Sequence, residues 1–314
     1  MTRRKASWLV WLRRFTQAAF VLLFIAVFLQ AQYQPVNQTG RHVKLFFLLD
    51  PFVLISSWLA SHTVASGLLF SLLPLGFTFI FGRWFCGWVC PFGSLHNLLS
   101  SWSGQTTKVK IATGGYSRWQ KTKYYLLLVL LVSSLFGLNL AGWFDPFSVL
   151  YRSTATVLYP AVNDGLKSLF GWIYQADPGL GPLKVTSVSE PVYEFLRRTV
   201  LPAAQPYFYG TALVAIFFFA VILLNFYRAR FWCRYICPLG ALLGIAGKNP
   251  LIQIERSSEL CNQCGLCVAN CQGAADPHVP GSWKPAECFY CWNCHSECPK
   301  RAVSIGLHLT RGAK

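Results

Sequence analysis

Eight cysteines toward the C-terminal end of the chain constrain it more than any other feature. Residues 261–271 read CNQCGLCVANC and residues 288–299 read CFYCWNCHSECP. Both runs have the spacing C-x2-C-x2-C-x3-C. This is the spacing of paired [4Fe–4S] loops, in which the fourth cysteine of each run serves the other cluster. On that pattern Cys261, Cys264, Cys267 and Cys298 are expected to hold one cluster, and Cys288, Cys291, Cys294 and Cys271 the other. Zinc also takes paired cysteines, but four per run, twice, argue against it. Cys271 is followed by Gln272 where Cys298 is followed by Pro299, and Asp276-Pro277 and Pro280-Gly281 between the runs read as an enlarged loop.

The other four cysteines form a second pattern, written twice. Residues 81–93 read FGRWFCGWVCPFG and residues 228–240 read RARFWCRYICPLG. Cys86 and Cys90, like Cys233 and Cys237, are spaced to share one helix face about 5–6 Å apart. Pro91 and Gly93, and Pro238 and Gly240, are expected to break or redirect those helices. Arg83, Arg230 and Arg234 are expected to favour thiolates through their charge. With all twelve cysteines in motifs, none remains for a structural disulfide, which points to redox or metal chemistry. Spacing leaves open whether these four hold a metal, hold a cluster or cycle through disulfides.

Both CxxxCP copies end an apolar run. The chain is 54% hydrophobic and only 12% charged, against about 25% in ordinary soluble domains. Runs at 15–31, 64–85, 124–143 and 207–227 each approach the roughly 20 residues a membrane-crossing helix needs. Pro74 is expected to kink the second. Trp8 and Trp11 read as interfacial anchors, and no A-x-A site follows the first run, so it reads as an uncleaved span rather than a signal peptide. Residues 45–60, interrupted by Asp50-Pro51, read as an interfacial or re-entrant element.

The net charge of +17 comes with no basic helix or nucleic-acid reading motif. Lys and Arg instead cluster in residues 1–14, in the loop 101–123 and from 228 onward. The positive-inside rule then puts both termini and the 101–123 loop in the cytoplasm of a bacterial inner membrane. Asp50-Pro51-Phe52 and Asp145-Pro146-Phe147 read as matching corners on the outer side, one in each of two parallel repeats whose interface carries the functional groups. The expected class is mainly α, a four-helix transmembrane bundle of two parallel two-helix repeats with a C-terminal cytoplasmic α+β two-cluster ferredoxin domain. Its parts are a basic N-terminus (1–14), a first repeat (15–100), a cytoplasmic loop (101–123), a second repeat (124–245) with an outer insertion at 150–205, and the ferredoxin domain (246–314). His42, His62 and His96 read as interfacial residues rather than haem ligands.

The combination of four spans, two CxxxCP motifs and a two-cluster tail resembles the NapH/NosR/CcoG-type membrane ferredoxins over about residues 75–300, and is closest in size to the NapH type. Neither the N-terminal flavin-binding domain of NosR nor the immunoglobulin-like C-terminal domain of CcoG is expected. The resemblance implies quinol oxidation and electron delivery to a periplasmic reductase through partner proteins. It also implies cluster ligation by the eight tail cysteines and a redox role for Cys86, Cys90, Cys233 and Cys237. Two other classes stand beside it: a copper-reducing assembly factor using the CxxxCP thiolates, since soft sulfur suits Cu(I), and a cluster-based redox sensor.

Overall fold

The computed structural model describes residues 8–32, 45–64, 66–176, 179–180, 183–184, 186–199, 201, 209–278 and 283–307. The chain is mainly helical and divides into two compact units, one of residues 1–25, 44–149 and 220–314, the other of 26–43 and 150–219.

The first unit begins in α1 (Trp8–Gln32). A helical turn at 45–48 leads to Asp50, which caps α2 (Pro51–Ser61) by accepting from the backbone N–H of Phe52 and Val53. A 3-10 turn (Ser66–Ser71) runs into α3 (Leu72–Phe81). Pro74 lies in the first turn of α3, just after the change from 3-10 to α geometry at Ser71–Leu72. The short α4 (Trp84–Trp88) and then α5 (Pro91–Ser101) carry the first CxxxCP. After α6 (Thr107–Gly114), a 3-10 turn (Arg118–Lys121) feeds α7 (Thr122–Leu135). Next come α8 (Ala141–Phe144), Asp145, and α9 (Pro146–Ser153).

The second unit continues α9 through a π turn (Thr154–Leu158) into α10 (Tyr159–Ala176). Phe28 meets Tyr151 and Tyr159 edge-on there, both at 5.5 Å. A two-residue ladder (β1 Gly179–Leu180, β2 Leu183–Lys184) and α11 (Thr186–Thr199) follow. Helix α12 (Thr211–Tyr227) leads back to the first unit, where α13 (Phe231–Tyr235) and α14 (Pro238–Ala246) carry the second CxxxCP.

The tail is organised by an antiparallel pair, β3 (Ile252–Arg256) with β4 (Val303–Leu307), registered Ile252 to Leu307 and Arg256 to Val303. Between the strands lie α15 (Leu266–Ala269), a 3-10 turn (Pro285–Glu287) and α16 (Asn293–Ser296).

Beyond α1, the helices are shorter than the apolar runs that contain them. Among the described residues only α1 is by itself long and apolar enough to cross a membrane. The 64–85 run is divided between 3-10 and α geometry and stops before Gly82 at φ 58°, and the 124–143 run stops at Leu135, two residues before Gly137 at φ 79°. Positive φ suits glycine and ends a right-handed helix. Residues 207 and 208 of the fourth run lie outside the described residues.

The two Asp-Pro-Phe stretches are not solvent-exposed turns. Asp50 and Asp145 are fully buried, and the ring of Phe147 lies 6.2 Å from that of Phe85, the neighbour of Cys86.

Candidate iron–sulfur and four-cysteine sites

In each CxxxCP motif the first cysteine sits inside a one-turn helix (Cys86 in α4, Cys233 in α13), while the second caps the next helix. Proline does not break that next helix; Pro91 and Pro238 occupy its first position. Proline is favoured there because its fixed φ suits the helix and no N–H is needed. The pairs therefore do not share one continuous helix face. Cys90 Sγ accepts from Gly93 N at 3.4 Å and Cys237 Sγ from Gly240 N at 3.3 Å, so each second cysteine faces a helix N-terminus. All four cysteines are buried.

The arginines cross between the motifs. Arg83, beside the first pair, donates to the carbonyl of Cys233 at 3.2 Å, and Arg230, beside the second, donates to the carbonyl of Cys86 at 3.0 Å. Both guanidinium groups also lie 4.9 Å from the ring centre of Phe289, a residue of the tail. Arg234 turns elsewhere and bonds the carbonyls of Cys271 and Gln272, both at 2.9 Å. The expected thiolate-promoting effect is outweighed. Burial pushes Cys233 up to about 11 against the pull of Arg230 and Arg83, and burial followed by neighbouring cysteines raises Cys90 and Cys237. Left to themselves Cys90, Cys233 and Cys237 are neutral thiols; a bound metal or cluster would deprotonate its ligands.

The tail loops repeat one backbone shape. Gln263 and Gly265 in the first loop, and Tyr290 and Trp292 in the second, have positive φ (54°, 73°, 49° and 61°) at equivalent positions between the cysteines. Such conformations are rare outside glycine. Here they curl each loop so that its sulfurs turn inward. One cavity, about 350 Å³, is lined by Cys261, Cys264, Cys267 and Cys298 together with Arg256. A second, narrower one of about 20 Å³ is lined by Cys271, Cys288, Cys291 and Cys294 and walled by Ile254, Trp283, Phe289 and Trp292. Sulfur acceptors are met by Arg256 Nη1 on Cys261, Ala275 N on Cys271 and Ala302 N on Cys298, each at 3.3 Å. Four sulfurs around each cavity are the donor set a [4Fe–4S] cluster takes.

The tail is held against the helices by groups the sequence did not single out. Glu287, buried, accepts from Arg83 Nη1 at 3.2 Å, Gln120 Nε2 at 3.2 Å, Tyr124 OH at 3.1 Å and Lys123 Nζ. Arg13 of α1 donates to Gln272 at 3.3 Å and Asn293 at 3.2 Å, and Gln17 donates to the carbonyl of Gly87 at 2.6 Å. A Cβ on Gly87 would stand 2.4 Å from the carbonyl oxygen of Phe289, and one on Gly240 2.4 Å from Arg83 Nη2. Glycine is what allows those approaches. His96, expected at an interface, is instead buried, with Nδ1 2.8 Å from Asn225 Oδ1. A lone acid ahead of a cysteine and glycines inside CxxxCP were the available signals for these contacts.

The family model described as a 4Fe-4S binding domain matches residues 63–110 and again 210–255, one match over each CxxxCP motif. The chain is 26% identical over 287 residues to the regulatory protein NosR of Pseudomonas aeruginosa, covering 88% of this chain and 31% of NosR. It is 23% identical over 281 residues to the ferredoxin-type protein NapH of Escherichia coli, covering 85% and 77%. The chain is thus similar over most of its length to both the regulatory protein NosR and the ferredoxin-type protein NapH. An uncharacterized protein of Methanocaldococcus jannaschii is 24% identical over 94% of both chains. The chain thus spans about a third of NosR and most of NapH. No solved structure matches it.

Proposed function

We propose that the protein is a membrane-embedded electron-transfer subunit that links the quinol pool to a periplasmic redox partner. One observation carries the reading: two sulfur-lined cavities share the tail, and a ring that walls one of them meets the arginines of the CxxxCP pairs. The cavity of Cys261, Cys264, Cys267 and Cys298 shares the tail with that of Cys271, Cys288, Cys291 and Cys294, and Phe289, which walls the second, stacks beneath the two arginines that bridge the CxxxCP pairs. In this reading each tail set holds one [4Fe–4S] cluster, and Cys86, Cys90, Cys233 and Cys237 form a third redox or metal centre. The protein supplies burial, fixed loops and hydrogen bonds to sulfur, which together set cluster potentials.

Membrane embedding is supported by what the helices expose. Leu72, Leu73, Phe77 and Phe79 of α3, Leu128, Val129, Val132 and Leu135 of α7, and Leu213, Ile216, Phe219 and Leu223 of α12 all face outward. Apolar exposure on this scale is unusual for a surface in water. With their 3-10 turns, α3 and α7 extend roughly 27–29 Å, and α12 roughly 26 Å, close to a hydrocarbon core of about 30 Å. The lysine and arginine distribution supports a cytoplasmic side for both termini and an outer side for the 150–205 segment, which would then be available to a partner.

The test is anaerobic reduction of the purified, cluster-loaded protein with a menaquinol analogue, followed by EPR. Reduced [4Fe–4S] signals are expected. Their absence, with copper bound stoichiometrically and lost in Cys86→Ser and Cys233→Ser, would replace this reading with copper handling.

A further inference from the structure

A cavity of about 1000 Å³ opens within the first unit, between α1, α5, α6 and the tail. It shares one residue, Cys271, with the sulfur-lined cavities. Its charge is one-sided. Arg13, Arg14, Lys110 and Arg234 line it, and no aspartate or glutamate does. Two of these cations belong to a fixed wall. Buried Arg13 is held by Gln272 and Asn293, and buried Arg234 by the carbonyls of Cys271 and Gln272. Asn97 accepts from Gln272 and donates to Gln17 at 3.2 Å, which ties that wall to α1. The other two cations are uncommitted. The Arg14 guanidinium lies 5.5 Å from the ring centre of Trp11, and the Lys110 ammonium has neither a hydrogen bond nor an ion pair among the described residues.

The cavity changes character along α1. Val21 and Leu22 stand roughly 12 Å further along the helix axis than Arg13 and Arg14. With Leu98 of α5 they form an apolar wall, and Leu22 and Leu98 are exposed. Trp102, between the lining residues Ser101 and Ser103, is 71% exposed, and Trp11 is 61% exposed. Exposed tryptophans beside basic residues mark the headgroup level of a membrane.

A ligand that uses the whole cavity is anionic at one end and apolar at the other. Free phosphate would leave the apolar wall empty. A quinol would bring no charge to the cations, and no histidine or carboxylate lines the space to take its protons. We propose that the cavity binds an anionic phospholipid of the cytoplasmic leaflet. Arg14 and Lys110 hold its phosphate against the wall of Arg13 and Arg234, and its acyl chains lie along Val21, Leu22 and Leu98. Basic pockets between membrane helices on the cytoplasmic side favour such headgroups. The site rests on the membrane-embedded orientation proposed above and not on the chemistry of the clusters.

Native mass spectrometry of the full, cluster-loaded chain released from detergent tests it. The probes are phosphatidylglycerol, phosphatidylethanolamine with the same acyl chains, and inorganic phosphate. One phosphatidylglycerol per chain should bind, on the order of tenfold more tightly than phosphatidylethanolamine. Binding should weaken by about tenfold or more in Arg14→Gln with Lys110→Gln. It should persist in Lys108→Gln with Arg118→Gln, which removes the same charge from exposed positions outside the cavity. Cluster absorbance reports that both double variants fold. Equal loss in both, or loss in neither, overturns the site, and so does equal binding of phosphatidylethanolamine. Displacement of the lipid by inorganic phosphate would make this a phosphate site, and displacement by an uncharged menaquinone analogue would give it to the quinol; either overturns the lipid proposal. Alkaline carbonate extraction of native membranes checks the embedding separately: a chain released into solution refutes the orientation, whereas a retained chain without lipid selectivity refutes the site alone.

Discussion

Glu287→Ala is the substitution whose consequence can be worked out most fully. The carboxylate is buried, and it is the shared acceptor for Arg83, Lys123, Gln120 and Tyr124. Its removal strands two cations, Arg83 and Lys123, whose side chains are fully buried. Breaking a buried pair in this way costs about 3–5 kcal/mol. Tyr124 also loses the partner of its hydroxyl, which adds about 1–3 kcal/mol. Gln120 loses less, because it keeps the carbonyl of Gly273 at 3.2 Å. Lys123 can shed its proton, which holds the total toward the lower end, near 4 kcal/mol, a large part of a usual stability of about 5–15 kcal/mol. At about 2–4 °C per kcal/mol, the melting midpoint should drop by roughly 10 °C. The assay is anaerobic thermal melting in detergent, followed by intrinsic fluorescence and by cluster absorbance. Glu287→Gln should fall between Ala and parent, since the amide still accepts but carries no charge. Adding Lys123→Met to Glu287→Ala should recover part of the loss, because only one cation is then left unpaired; this non-additivity is the signature of a shared partner. A Glu287→Ala protein that melts within about 2 °C of the parent, clusters intact, would refute the network argument.

Three further outcomes follow from the same contacts. Cys86→Ser and Cys233→Ser should impair electron transfer from a menaquinol analogue to a similar degree while EPR still shows both tail clusters; a harmless loss of either pair would rule out a shared centre. Gly87→Ala drives a methyl group against the Phe289 carbonyl; it should destabilise the protein by about 1–3 kcal/mol in thermal melts and alter the EPR line shape of one cluster more than the other. His96 is held down to about 4, chiefly by burial, from its ordinary 6.5. A buried neutral histidine is protonated first in the unfolded chain, so its contribution is complete above about pH 6.5 and is lost as pH falls toward 4. Melting midpoints measured across that window should decline, and the decline should be shallower in His96→Gln.

The tail sites were open to sequence reading because sulfur geometry imposes spacing directly: the cysteines of each run must curl around one centre, and few intervals allow it. The duplication was legible for a similar reason, since FGRWFCGWVCPFG and RARFWCRYICPLG repeat residue types at fixed offsets. Helix ends were less legible. An apolar run records hydropathy without recording where Gly82 or Gly137 turns the backbone. Least visible were contacts between distant segments. Asp50 and Asp145 read as matching corners because each stands before Pro-Phe, yet nothing local to either says that both are fully buried. Glu287 is in sequence only a lone acid ahead of a cysteine, and its four partners come from residues 83 to 124.

The crossed arginines carry a consequence for how such a chain could arise or be taken apart. Arg83 completes the second motif and Arg230 the first, so a half expressed alone would hold a guanidinium without its carbonyl and a carbonyl without its guanidinium. Two identical halves could still satisfy one another as a symmetric dimer. Phe289 is a single ring placed against both arginines, and a symmetric dimer would offer two tails for that one place. Joining the halves in one polypeptide settles the competition: it leaves one tail, one ring and two flanking motifs free to diverge.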